Sequence, residues 1–397
     1  MPSRILIADD TPVNLKILSS ILAAEGHTPL LATNGQETLD LARREAPDLI
    51  LLDIMMPGKD GYAVCAELKA DPALAEIPVI FLSALQQTAD KVRGLELGAV
   101  DYVAKPFDRA EVVARINTQL RLRQLTRSLL QANAELQERQ GRLEEDLRAA
   151  ADIQRALLPR EGLSLPGVSL AWRFAPCDAV GGDLFGALVL DERSLGFYIL
   201  DVSGHGVPSA MLTVSAAQSL APGGGIVCSR EPGSLLARAV PPAEVLSALD
   251  REYPFERFER YFTISYLVLE VGAGLLRYSS AAHPAPLLVR PDGTLRELAE
   301  GGPILGAGLG PAAFEEGQRQ LQAGERVFLY TDGIPEFEGP GGQLFGRDPF
   351  CRVLQETASL SLETACERVV TALRGFGGAR VPNDDVSLLA FEFGRAG

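Results

Sequence analysis

The order of apolar and polar positions divides the chain into three stretches. In the first, short apolar runs alternate with amphipathic ones. Ile5–Ala8, Leu49–Leu52 and Val79–Leu82 read as strands and Val13–Ala24 as a helix, while the segment after Gly98 leads to Tyr102, Lys105 and Pro106. Such alternation predicts a parallel sheet with helices on both faces. In the second, residues 116–158, Leu122, Leu129, Leu136, Leu143, Ala150 and Leu157 recur every seven positions, with Leu125, Ala132 and Ile153 on the companion seam. That predicts one long helix with a coiled-coil stripe. Arg139 and Asp146 interrupt the companion seam, and Gly141 costs about 1 kcal/mol relative to alanine, so the coil is expected to be weak at its middle.

The third stretch is rich in Gly and Pro. Strands are predicted at 169–174, 186–190, 196–200, 262–271, 275–279, 287–289, 326–330 and 386–392, and helices at 208–219, 243–252, 349–357 and 361–374. Many antiparallel strands with few helices predict a two-sheet sandwich flanked by helices. Clustered Gly and Pro make Ala221–Pro242 read as a mobile surface loop. Trp172 and Phe174 share one strand face and are expected in the core. His205 and His283 read as structural. The expected domains are 1–118, 119–158 and 159–397.

Composition narrows the class. The chain has 397 residues, 47% apolar and 22% charged, which suits a soluble globular protein. Its net charge of -15 is spread along the chain, and the basic residues of the middle alternate with Leu and Glu, so no nucleic-acid partner is expected. Five scattered cysteines without a Cys-x-x-Cys pair argue against a disulfide framework or zinc site and for a reducing, cytoplasmic setting. Met1-Pro2-Ser3-Arg4 does not read as a signal peptide, and no apolar run reaches membrane-spanning length.

Chemistry gathers at the strand ends. In α/β sheets the ligand site lies beyond the carboxyl ends of the strands, where Asp9, Asp10, Asp53, Ser83 and Lys105 all fall. Asp9, Asp10 and Asp53 can hold one Mg2+, leaving Asp53 as nucleophile toward a phosphoryl group, with Lys105 as a point charge and Ser83 as a hydroxyl. This segment resembles a response-regulator receiver domain over its full length. The resemblance implies a five-stranded, doubly wound sheet and a sensor histidine kinase as phosphate donor to Asp53. It also implies that Ser83 and Tyr102 couple phosphorylation to a surface change, with Lys105-Pro106 as the signature pair.

In the third stretch an acid recurs beside apolar runs: Gly181-Gly182-Asp183, Leu200-Asp201-Val202-Ser203-Gly204, Tyr330-Thr331-Asp332-Gly333 and Asn383-Asp384-Asp385-Val386. One Asp-Gly turn says little, but four such acids converging would bind a pair of divalent ions. With all-oxygen donors and no Cys/His cluster, Mg2+ or Mn2+ fits, and paired ions activate water for in-line displacement at a phosphomonoester. The motif order resembles the metal-dependent serine/threonine phosphatases (PPM) in their RsbU-like sporulation and stress-response branch. The likeness spans residues 150–397 and includes Asp152-Ile153-Gln154-Arg155-Ala156-Leu157-Leu158-Pro159.

That resemblance implies that Asp201 bridges both ions. Asp183 and the Val202 carbonyl would complete one site, and Asp332 with Asp384 the other. Asp385 is a second candidate beside Asp384. The branch usually carries a further acid three residues after Asp183, where this chain has Gly186, which puts an accessory contact in doubt. The implied substrate is a phosphorylated anti-sigma-factor antagonist, under control of Asp53, in a parallel homodimer joined through the linker helix. Two rivals remain. One is a diguanylate cyclase, suggested by Gly181-Gly182-Asp183-Leu184-Phe185 but lacking an acid at Leu184. The other is a phosphatase-like adaptor without turnover.

Overall fold

The computed structural model describes all residues except 1, 84–87, 161–164, 166, 205, 224, 231–236, 308–312, 379, 381 and 395–397. They form two compact units, Met1–Gln140 and Gly141–Gly397.

The first unit runs β1 (Arg4–Ala8), α1 (Pro12–Ala24), β2 (Thr28–Ala32), α2 (Gly35–Glu45), β3 (Leu49–Asp53), α3 (Gly61–Ala70), β4 (Val79–Ser83), α4 (Thr88–Glu96), β5 (Asp101–Ala104) and α5 (Arg109–Leu157). The strands pair in parallel in the order β2-β1-β3-β4-β5. β3 and β4 are buried at every position, as expected where helices cover both faces. Local signals start the helices: Pro12 opens α1, and the side chains of Asn34 and Asp60 accept the Glu37 and Ala63 amides at the starts of α2 and α3. Strand order reverses between β1 and β3, so the residues after their carboxyl ends flank a crevice.

Helix α5 begins in this unit, where Val112 and Ile116 are buried. It continues without a break to Leu157, so the heptad stretch extends the last helix of the α/β unit. Beyond Leu120 the stripe is bare: Leu122, Leu125, Leu129, Leu136 and Leu143 are each more than half exposed. The two units divide at Gly141, within the helix.

The second unit holds β6 (Val168–Ala175), β7 (Asp183–Val189), β8 (Ser194–Val202), α6 (Val207–Ser219), β9 (Cys228–Arg230), β10 (Ala237–Ala239), α7 (Pro242–Glu252), α8 (Phe255–Phe258), β11 (Phe262–Glu270), β12 (Leu275–Ala281), β13 (Leu287–Val289), β14 (Leu295–Glu297), β15 (Gly301–Gly302), β16 (Gly317–Gln320), β17 (Arg326–Tyr330), α9 (Arg347–Glu356), α10 (Leu362–Gly377) and β18 (Val386–Phe393). One sheet runs β15-β12-β11-β8-β7, with β16 also pairing β12; the other runs β14-β13-β17-β18-β6. The faces that meet bury Phe197 stacked on Phe391 at 4.1 Å, and Trp172 against Phe185 at 5.6 Å. Helices α6 and α7 cover the outer face of the first sheet and α9 and α10 that of the second, giving an α+β sandwich of four layers.

Residues 221–242 are not simply a loop. β9 and β10 pair as a small antiparallel ribbon, because Val227 and Cys228 are buried and the Ala239 amide donates to Asp191 Oδ2 at 3.0 Å. Residues 224 and 231–236 of that stretch lie outside the described part. Across the second sheet Arg326 and Glu392 are cross-strand partners, both nearly fully buried and 2.7 Å apart, and the guanidinium also reaches the Thr357 and Leu360 carbonyls. Arg326→Met removes the guanidinium paired with the buried Glu392 carboxylate. We expect about 3–5 kcal/mol of lost stability, read from urea unfolding.

Candidate active sites

In the first unit, β1 delivers Asp9 and β3 delivers Asp53 to the crevice at the strand-order reversal. Asp9 is fully buried. Its Oδ1 accepts the Thr11 amide at 2.9 Å, and both its oxygens lie 3.0 Å from Asn14 Nδ2. Lys105 Nζ, just beyond β5, stands 2.8 Å from Asp9 Oδ2 and 2.8 Å from Asp53 Oδ2. Burial raises the pKa of Asp53, Lys105 opposes the shift, and Asp9 adds to it. Burial works against the charge of Lys105, but hydrogen bonds to Asp53 and Asp9 outweigh it, so its pKa rises. Asp10 is exposed, and its carboxylate lies within 4.8 Å of those of Asp9 and Asp53, a spacing that suits one hard cation.

Ser83 ends β4, buried, and its carbonyl accepts the Lys105 amide at 2.8 Å. Tyr102 is half-buried on β5, with the Arg115 guanidinium 5.3 Å from its ring centre. Gly61 closes the pocket from behind, since a Cβ there would meet the Asp53 carbonyl at 2.2 Å.

In the second unit, four separate segments bring acids together. β7 and β8 place Asp183 directly opposite Asp201 in antiparallel register, and Asp201 also faces Thr263 of β11. Asp332 follows β17 and Asp384 precedes β18, two strands that are neighbours in the opposing sheet. Burial, followed by repulsion from Asp332, Asp384 and Asp385, raises the pKa of Asp201 to about 7. Burial, then Asp201 and Asp385, lifts Asp183 well above the carboxylate range, against the hydrogen bonds of Ser387 and Thr331. Asp332 is raised by burial and by Asp384. Each acid thus feels charges delivered by other segments, a pocket that a cation would relieve.

Thr331 Oγ1 and Ser387 Oγ donate to Asp183 Oδ2 at 2.8 and 2.6 Å. Asp384 and Asp385 differ in surroundings. Asp385 is buried, and its two oxygens accept the amides of Cys177 at 2.8 Å and Asp183 at 3.2 Å. Asp384 is exposed and acts electrostatically on both Asp201 and Asp332. The Cys177 thiol lies near both acids, and burial together with Asp385 pushes its pKa up to about 12, so it stays protonated.

His283 is buried and neutral. Its Nδ1 accepts from Thr263 at 2.7 Å and its Nε2 donates to the Tyr330 carbonyl at 3.1 Å, and burial lowers its pKa to about 3. It braces two strands near the pocket and carries no charge in the working range. His205 lies outside the described residues. Gly186 pairs opposite Tyr198, and a Cβ there would meet the Tyr198 ring at 2.4 Å. Strand alternation puts it on the helix-covered face, away from Asp183.

Sequence reasoning passed over Thr331, Ser387, Asn14 and Thr213. Thr331 and Ser387 had a legible signal, since each lies within two residues of a candidate acid at a strand end. Gly181 is fixed by Asp385: a Cβ would stand 2.2 Å from Asp385 Oδ2. Gly181→Ala is expected to cost about 1–3 kcal/mol, measured by thermal unfolding, as overpacking at a rigid site does.

Comparison with known proteins agrees with both units. The response regulator receiver domain model matches residues 5–117. PleD of Caulobacter vibrioides is 41% identical over 134 residues, 34% of this chain but only 30% of PleD, so the likeness is confined to the receiver. The solved SiaA-PP2C domain of Pseudomonas aeruginosa superposes with a TM-score of 0.53 at 24% identity, covering 64% of this chain and 98% of that domain, which is a likeness of fold. The solved RsbU and RsbW domains of Rv1364c from Mycobacterium tuberculosis align at 27% identity over 59% of this chain and 61% of that one, with a TM-score of 0.47. The stage II sporulation protein E (SpoIIE) model matches residues 191–394, a segment that contains Asp201, Asp332 and Asp384. With just over half of its length matched in this way, the chain belongs to the SpoIIE family and carries a response regulator receiver domain ahead of that PPM-type phosphatase domain.

Proposed function

We propose that the chain is a cytoplasmic two-component response regulator whose output is a metal-dependent protein serine/threonine phosphatase. The observation that carries this reading is the convergence of Asp183, Asp201, Asp332 and Asp384 from four segments on one mutually repelling pocket. The donor set is all oxygen, which fits two Mg2+ or Mn2+ ions. Asp201 would bridge them, Asp183 and the Val202 carbonyl would serve one ion, and Asp332 and Asp384 the other. Asp385, whose oxygens accept two backbone amides, is a brace in this reading. When bound, such a pair supplies Lewis-acid activation of water and charge neutralisation at the phosphoryl oxygens. The chain's own part is to aim the carboxylates: Thr331 and Ser387 fix one oxygen of Asp183 and leave the other for a ligand.

In the receiver, Asp53 is the phosphoacceptor for a sensor histidine kinase. Asp9 and Asp10 join it in holding one Mg2+, Lys105 neutralises the phosphoryl group, and Ser83 and Tyr102 report its arrival. The domains are 1–118, 119–158 and 159–397, and the bare leucine stripe of α5 joins two copies in parallel. The substrate is a phosphoserine or phosphothreonine regulatory protein of the anti-sigma-factor-antagonist kind. Among the described residues no helix is long and apolar enough to cross a membrane. Steady-state dephosphorylation of such a phosphoprotein with Mn2+, with and without acetyl phosphate, tests the whole reading. Mn2+-dependent turnover that changes with the acyl-phosphate donor is the expected result. A protein that binds the phosphoprotein but never hydrolyses it would be an adaptor.

A further inference from the structure

Gln154 lies in the last turn of α5 and is 3% exposed. Its Nε2 donates to the Gly181 carbonyl at 2.8 Å, and its Oε1 accepts the Gly181 amide at 3.1 Å. One carboxamide therefore takes both backbone groups of one residue, as a neighbouring strand would. Glutamine suits this because donor and acceptor sit side by side on one planar group, which glutamate and lysine lack.

Gly181 and Gly182 come just before Asp183, and paired glycines have more backbone freedom than any other residues. Here that freedom is removed from every side. The Gly182 carbonyl accepts Val202 N at 3.1 Å and Thr213 Oγ1 at 3.0 Å, and the Asp183 amide donates to Asp385. Three of the holding groups come from inside the sandwich. Gln154 alone comes from the helix that leads into it. A slip of α5 by one residue shifts a side chain by about 1.5 Å and turns it by roughly 100°, beyond the reach of both hydrogen bonds.

We infer that Gln154 is a positioning residue: through the Gly181–Asp183 loop, the end of α5 sets how tightly the acid pocket takes divalent cations. This rests on the reading of that pocket as a cation site. In the full-length protein, Gln154→Met keeps the volume and removes the carboxamide's hydrogen bonds, and Gln154→Ala admits water to Gly181. Mn2+ binding is measured by calorimetry, and hydrolysis of p-nitrophenyl phosphate is followed against Mn2+ concentration. A Kd for Mn2+ raised about tenfold, with kcat at saturating Mn2+ within about twofold of wild type, is the expected result.

An unchanged Kd in either folded variant overturns the inference, as does a fall in kcat alone, which a merely structural glutamine would give. Hydrogen exchange at the Gly181 amide of the wild type serves where neither variant folds. Exchange that slows on adding Mn2+ supports the coupling, and unaltered exchange refutes it. Calorimetry keeps the two readings apart. Wild-type protein that binds Mn2+ without turnover defeats the phosphatase assignment while Gln154 is still judged by its Kd.

Discussion

Asp201→Ala is expected to lower kcat for Mn2+-dependent hydrolysis of p-nitrophenyl phosphate by about a thousandfold, the scale on which one group of a preorganised electrostatic site is lost. Asp201 stands opposite Asp183 on the neighbouring strand, and burial followed by Asp332, Asp384 and Asp385 brings its pKa to about 7. Asp201 feels the charges of Asp332, Asp384 and Asp385 from the opposing sheet together, so its removal should leave neither cation fully held. Activity within tenfold of wild type would sink the bridging role.

The same geometry predicts a pH effect in the metal-free protein. A carboxyl whose pKa is higher in the folded than in the unfolded state binds its proton more tightly when folded. Its contribution to stability is therefore complete below about pH 4 and is lost as pH rises through about 7. The loss is at most about 4 kcal/mol at 1.36 kcal/mol per unit. Thermal melts in EDTA should show wild type losing stability relative to Asp201→Ala across that window, and saturating Mn2+ should restore it. A difference between the two proteins that is flat with pH would contradict the repulsive pocket.

Asp53→Asn is expected to abolish phosphate uptake from acetyl phosphate, read on a phosphate-affinity gel. Asp53 is the buried acid at the end of β3, with Lys105 Nζ 2.8 Å from its Oδ2. Burial raises its pKa and Asp9 adds to that, while the hydrogen bond and charge of Lys105 work the other way, toward the carboxylate. An amide can neither attack a phosphoryl donor nor balance that charge. Lys105→Met should retain Asp53 but slow uptake by about a hundredfold, since it removes a fixed cation from a dry site. Undiminished labelling of Asp53→Asn would move the acceptor elsewhere.

Much of this was legible in the order of residues because local rules and the global fold agree. Buried runs such as Leu49–Leu52 have one solution, a central parallel strand, and they end on the acids that matter. The heptads of α5 and the largely apolar runs of β11 and β18 were equally plain. Four features were hidden for physical reasons. β15 is two glycines, and β14 and β16 have no apolar period, so their pairing is set by the strands beside them. The Gly- and Pro-rich stretch at 221–242 holds β9 and β10 because two buried residues, Val227 and Cys228, outweigh the turn signals around them. Adjacent acids such as Asp384 and Asp385 cannot be told apart until the amides of Cys177 and Asp183, from a distant segment, are seen to take both oxygens of Asp385. Gln154 likewise looks like any polar residue of a coil until Gly181 is found against it.

The uncovered stripe of α5 has a consequence for dosage. Leu129 is 71% exposed and Leu136 63%, a cost in water that a second copy would remove. A pairing through that stripe alone, with Arg139, Gly141 and Asp146 weakening its middle, would obey mass action, so the fraction of paired molecules would rise and fall with how much of the protein is made. Dilution would then act as an input in its own right, tuning the output even when every receiver carries the same phosphate load.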